Sequence, residues 1–189
     1  MAQHLRVIAG SAGGRRLSAP RGDAIRPTTG RVKAAIFSAL TARERLLGAK
    51  VLDLYAGTGA LAIEALSRSA ARAVLVEHDR SALETLRRNL SVTGTATSAS
   101  VVAADAGAFL AGAAPADAPF DLVFCDPPYE VESPALDAVI APLGGRGWTT
   151  VDALVVVERP VGVASPQVEG LRIAWERSFG DTLVFFLST

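Results

Sequence analysis

The sequence predicts an α/β fold: a largely parallel sheet with helices on both faces, preceded by a short β-hairpin. Three observations carry this. From Lys50 onward, short apolar β-compatible runs alternate with helix-period segments. A glycine turn, Gly57-Thr58-Gly59, joins the first of these runs to the first following helix. Two β-compatible runs at the start, Leu5 to Ala9 and Arg15 to Leu17, flank the glycine-rich loop Gly10 to Gly14. At 189 residues the chain has the length of one globular unit. Within it, residues 1–28 read as a basic hairpin arm and 29–189 as the main domain.

In order, an irregular stretch with Pro20, Gly22 and Pro27 follows the hairpin, and Thr28 or Thr29 can cap a helix reaching about Leu40. Val32, Ile36, Phe37 and Leu40 share one face of that helix. Strand and helix then alternate: strand Lys50–Tyr55, helix Gly59–Ser69, strand Arg72–Glu77, helix Arg80–Leu90. Further strands are predicted near Ser100–Ala104, Phe120–Cys125 and Ala153–Glu158, with a helix near Pro134–Ala141. The segment Ala111–Pro119 reads as a loop. Leu171–Arg177 and Thr182–Leu187 flank Gly180-Asp181 as an antiparallel hairpin at the sheet edge.

An apolar fraction of 50% excludes a disordered chain. The absence of an apolar run of about 20 residues, and of an apolar stretch in Met1 to Arg6, leads to the expectation of a cytoplasmic protein with no membrane partner. One cysteine, Cys125, leaves no internal disulfide, and two unclustered histidines give no reason to expect a metal. A monomer is the default. The net charge is zero, but residues 1–45 carry nine basic against two acidic groups, and residues 46–189 carry ten against seventeen. A basic arm on an acidic body fits a polyanionic partner, or an arm folded back on that body.

The chemistry concentrates at predicted strand ends. Gly57 and Gly59 allow a ligand to approach the backbone at a helix start. Such a loop suits a dinucleotide or S-adenosyl-L-methionine (SAM). Asp53, just ahead of the glycines, would repel a pyrophosphate but attract an amino or sulfonium group, which favours SAM. Glu77, closing the second strand, can accept from both ribose hydroxyls. Asp105, with Ala106 beside it, is placed to meet the adenine amino group. Tyr55 and Ala56 belong to the same cofactor turn. His78 either flanks the adenine or stays exposed.

The run Phe120–Cys125 leads into Asp126-Pro127-Pro128-Tyr129. Two prolines stiffen this turn, so the Asp126 carboxylate and the Pro127 carbonyl become fixed acceptors beside the methyl donor. Such acceptors can grip both N–H bonds of an exocyclic amine and aim its lone pair at the donor. Tyr129 can stack on an everted base.

The cofactor turn Asp53–Gly59 together with Asp126-Pro127-Pro128-Tyr129 resembles the class I SAM-dependent amino-methyltransferases. With Arg6 to Gly10, Gly14 to Leu17, Arg26-Pro27-Thr28-Thr29, Arg31-Val32-Lys33, Ile36-Phe37, Leu61 to Arg68 and Gly180-Asp181-Thr182, almost the whole chain resembles the RsmD family. The resemblance implies a seven-stranded Rossmann-like sheet with an N-terminal β-hairpin extension. It also implies methyl transfer from SAM to the N2 amino group of a guanine in small-subunit (16S) ribosomal RNA, free or in a 30S assembly intermediate. Residues 29–189 are then the SAM-dependent methyltransferase domain, and Arg6, Arg15, Arg16, Arg21, Arg26, Arg31 and Lys33 become phosphate contacts. Arg26 could instead anchor the loop over the cofactor. The hairpin loop Ser11-Ala12-Gly13 departs from the basic and aromatic loop usual in that family.

Other targets with planar amino groups (DNA adenine or cytosine, protein glutamine) fit the same tetrad. An NAD-dependent oxidoreductase shares the glycines and Glu77 but gives Asp53 and the tetrad no role. A non-catalytic RNA-binding assembly factor would use only the arm. Among the remaining residues, Cys125 reads as a buried apolar residue, Glu158 as surface charge at a strand end, and Trp148 and Trp175 as packing residues.

Overall fold

The structure is a computed structural model, and it describes residues 5–19, 30–145 and 147–189. Its elements in order are α1 (Gly30–Ala42), β1 (Lys50–Asp53), α2 (Ala60–Ser67), β2 (Arg72–Glu77), α3 (Arg80–Thr93), β3 (Ala99–Ala103), α4 (Ala106–Ala111), β4 (Phe120–Cys125), α5 (Ser133–Ile140), β5 (Thr149–Pro160), β6 (Arg172–Phe179) and β7 (Thr182–Ser188). They form one seven-stranded sheet in the order β3-β2-β1-β4-β5-β7-β6. Strands β1 to β5 run parallel, and β7 pairs antiparallel with both β5 and β6. The expected α/β sheet with an antiparallel tail is therefore present. Strand order reverses between β1 and β4, where open α/β sheets hold their ligands.

Alternation along each strand builds two cores. Val51, Leu75, Leu122, Phe124 and Val156 face α1, α2 and α3, while Leu52, Val74, Val76, Val123 and Val157 face α4 and α5. Helix α1 buries the expected stripe Val32, Ile36, Phe37 and Leu40. The proposed caps Thr28 and Thr29 lie outside the described residues. Helix α3 runs three residues past Leu90 because Gly94, with φ +75°, takes the left-handed stop after Thr93. Asp79 caps its start, accepting from Ala82 N at 2.7 Å. Helix α4 is too short for its periodicity to announce it. Trp148 packs edge-on against Phe109, and Trp175 against Phe186.

The hairpin closes through Val7 N to Arg15 O (3.0 Å), Gly14 N to Val7 O (2.9 Å) and Leu17 N to Leu5 O (2.8 Å). Its ladder is a single bridge, Arg6 to Arg16, rather than two full strands. Val7, Ala12 and Leu17 are buried in the core shared with α1 to α3. Polar groups of α2 fix its position. Glu64 accepts from Ile8 N at 2.7 Å and Ala9 N at 3.0 Å. Ser67 Oγ accepts from Ala12 N at 2.9 Å, and Ser67 O accepts from Ser11 N at 2.8 Å. Gly10 is required here: its φ is +84°, and a Cβ would stand 1.8 Å from Ser67 O.

Two charged residues correct the expectations. Lys33 is buried, pairs with Glu64 at 3.2 Å and donates to Arg6 O at 2.6 Å, so it does not reach a phosphate. Burial holds its ammonium below the usual lysine range, with Glu64 opposing that shift. Glu158 is also buried rather than surface charge, because β5 continues to Pro160 and pairs Glu158 with Val184 inside the sheet.

Candidate cofactor and methyl-transfer site

The site gathers at the reversal between β1 and β4. Asp53 ends β1, and its register partner is Phe124 of β4, two residues before Asp126. The turn after β1 is held by Leu54 N to Phe124 O (3.0 Å) and Ala56 N to Val76 O (3.0 Å). Gly57 and Gly59 take φ of +52° and +78°, values that favour glycine. At Gly59 the turn itself favours glycine, and a Cβ would press on Leu86 Cδ1 at 2.4 Å, where α3 packs against the turn.

Asp53 is buried, and its Oδ2 accepts from Ala62 N at 3.3 Å. Its Oδ1 has no hydrogen-bond partner among the described residues. Burial is the main cause pushing this carboxyl up to about 7; the Ala62 bond opposes the shift, and the charges of Asp126 and Glu77 add to it. A buried acid with an open oxygen is costly unless a donor arrives from outside the chain. The site therefore fits a ligand that brings a cationic or N–H group to Asp53.

Glu77 is buried at the end of β2. Its Oε2 accepts from Gly57 N at 2.8 Å, while Oε1 accepts from His78 N and Asp79 N, each at 2.7 Å. It thus pins the glycine turn as well as facing the crevice. The Asp105 carboxylate, exposed, caps α4 by accepting from Ala108 N at 2.9 Å, and Ala106 is buried behind it. The His78 side chain is exposed. Tyr55 is half-buried, and burial, then Cys125 and Asp105, raise its phenol. These residues line one end of the sheet.

After β4, Asp126 is half-buried, Pro127 buried, and Pro128 and Tyr129 exposed. Val131 N donates to Pro128 O at 3.1 Å, closing a turn that projects Tyr129. Cys125 is fully buried; burial and the neighbouring Asp126 push its thiol up, which removes it as a nucleophile. Arg159 was not anticipated. Buried at the end of β5, it donates from Nη2 to Val131 O and so holds the segment that follows the tetrad.

Of the basic residues, Arg6, Arg15, Arg16 and Arg31 are exposed, and among the described residues none forms an ion pair. Arg6 donates to Gly14 O at 3.1 Å and Arg15 to Val92 O at 2.7 Å, both carbonyls. Arg21 and Arg26 lie outside the described residues. The exposed arginines are thus not spent on the acidic body.

Comparison with known proteins gives the same outline. A family model described as "Conserved hypothetical protein 95" matches residues 5–188. The chain is 40% identical over 164 residues to the Escherichia coli K12 protein "Ribosomal RNA small subunit methyltransferase D", covering 87% of this chain and 79% of that protein. It is 36% identical over 166 residues to Bacillus subtilis YlbH, covering 88% of each. Among solved structures, Escherichia coli yhhF superposes with a TM-score of 0.85 at 34% identity, covering 98% of this chain and 97% of that one. An RNA methyltransferase from Salinibacter ruber, solved with S-adenosyl-L-homocysteine, shares the fold at 17% identity and a TM-score of 0.61. The resemblance to RsmD seen in the motifs and the match over nearly the whole chain agree: the chain belongs to the Conserved hypothetical protein 95 family.

Proposed function

We propose that this protein transfers a methyl group from SAM to the exocyclic N2 amino group of a guanine in small-subunit ribosomal RNA. The observation that carries the reading is the pairing, at the strand-order reversal, of a buried acid with an open oxygen, Asp53, and the proline-stiffened acid Asp126. The name of the Escherichia coli relative supports the RNA target.

When bound, SAM supplies an activated methyl group on a good leaving group. Asp53, Gly57, Gly59 and Glu77 would hold it, with Tyr55, Ala56, His78, Asp105 and Ala106 around its nucleoside. Asp53 would neutralise its amino or sulfonium charge. Asp126 and the Pro127 carbonyl would accept the two amine hydrogens of the target base and orient the nitrogen lone pair. Pro128 stiffens that grip. Tyr129, exposed beside it, would stack on the base. Arg6, Arg15, Arg16 and Arg31 would contact phosphates, as would Arg21 and Arg26. A cytoplasmic monomer acting on free rRNA or on an assembly intermediate fits this reading.

Tritiated methyl transfer to small-subunit particles from cells lacking the protein, followed by nucleoside mapping, tests it. Label in N2-methylguanosine is expected, and Asp126→Ala should lower turnover by roughly 10²-fold or more while RNA binding survives. Label in another nucleoside, or undiminished turnover of the variant, would overturn the assignment.

A further inference from the structure

Asn89 is 0% exposed within α3, yet its amide makes three hydrogen bonds to two distant segments. Oδ1 accepts from Ser18 N at 2.8 Å; Nδ2 donates to Ser18 O at 3.0 Å and to Thr58 O at 2.9 Å. Ser18 directly follows the arginine-bearing hairpin, and Thr58 is the central residue of the cofactor turn. One side chain therefore ties both.

The helix carrying it is a firm bridge. Asp79 and Gly94 cap its two ends, and Leu86, one turn ahead of Asn89, packs against Gly59. Arg15 adds a second tie from the hairpin by donating to Val92 O near the end of α3. A staple serving only the fold could bond the arm alone. Here the same NH₂ group also fixes the Thr58 carbonyl, and with it the Thr58–Gly59 peptide plane within the glycine turn.

We propose that Asn89 is a positioning residue that couples RNA engagement by the arm to cofactor binding on the glycine turn. The proposal rests on the reading of the arm as an RNA contact. Phosphates held by Arg15 and Arg16 would order the chain at Ser18. The Asn89 amide then stays committed in one orientation, and the Thr58–Gly59 peptide of the cofactor turn is held in place. Coupling is reciprocal, so the cofactor tightens RNA binding by the same factor.

The test is equilibrium binding of radiolabelled S-adenosyl-L-homocysteine to the full chain, alone and with saturating unmethylated small-subunit particles. In the unaltered protein the particles should tighten binding about fivefold or more. Asn89→Leu, which keeps the branched shape of the side chain but removes all three bonds, should bring that ratio to one while binding of the nucleoside alone persists. Ile140→Ala, a truncation in α5 within the other core of the sheet, serves as the control for lost stability and should leave the ratio unchanged. If Asn89→Leu does not fold, Asn89→Asp, which retains the acceptor for Ser18 N but loses both donors, takes its place. A ratio of one in unaltered protein that still methylates RNA, or an unchanged ratio in the variant, would overturn the coupling alone. Absence of any RNA binding would instead overturn the reading on which it rests.

Discussion

Two buried carboxylates, Glu64 on α2 and Asp53 at the end of β1, meet opposite surroundings. Glu64 receives Ile8 N, Ala9 N, Lys33 Nζ and Arg68 Nε, all between 2.7 and 3.2 Å. Asp53 receives one backbone N–H at 3.3 Å and keeps an oxygen unpartnered. A buried acid whose donors all come from its own chain serves the fold, since it locks hairpin, α1 and α2 together. A buried acid left open bears its desolvation cost until it takes up a proton or meets an outside donor, which suits it to a ligand. The arm junction is thus finished in the chain itself, whereas the crevice keeps an acid with an open oxygen.

The contrast breaks first at Glu64. Glu64→Ala strands the Lys33 ammonium and two backbone N–H groups in the core, and should cost about 3–5 kcal/mol in denaturant unfolding. A loss under 1 kcal/mol would mean the junction is not held by this carboxylate. The smaller effect is on the surface. Arg15→Ala and Arg16→Ala should each reduce the salt slope of RNA binding by roughly one, whereas Lys33→Met should leave that slope unchanged whatever it does to stability. Equal slopes for all three would erase the distinction between buried and exposed cations.

The sheet was legible because its signals are strong and local: apolar strands, a glycine turn at a helix start, and two prolines ending β4. The crevice followed from which strand ends carry acids. What the sequence concealed depends on packing between distant segments. Lys33 reads as one more cation beside Arg31, yet it lies three and four residues before Ile36 and Phe37, on the buried face of α1; that spacing is the signal that could have found it. Glu158 and Arg159 close an apolar run and so suggest an exit to solvent, but β5 continues and β7 covers it. No local pattern announces Asn89, whose role comes from where Ser18 and Thr58 meet α3.

The sign of the Asp53 shift supplies the most direct test. Its folded carboxyl titrates near 7 against an ordinary 3.8, so between about pH 4 and 7 the native state holds a proton that the unfolded chain has lost. In that window apo stability falls as pH rises, and a cation arriving at Asp53 must displace the proton. Calorimetric titration with SAM from pH 5.5 to 7 should therefore show affinity rising by up to about tenfold per unit, with proton release, and Asp53→Asn should bind weakly with no such slope. Tight binding with the same pH profile in both proteins would contradict the assignment of the crevice as the methyl-donor site.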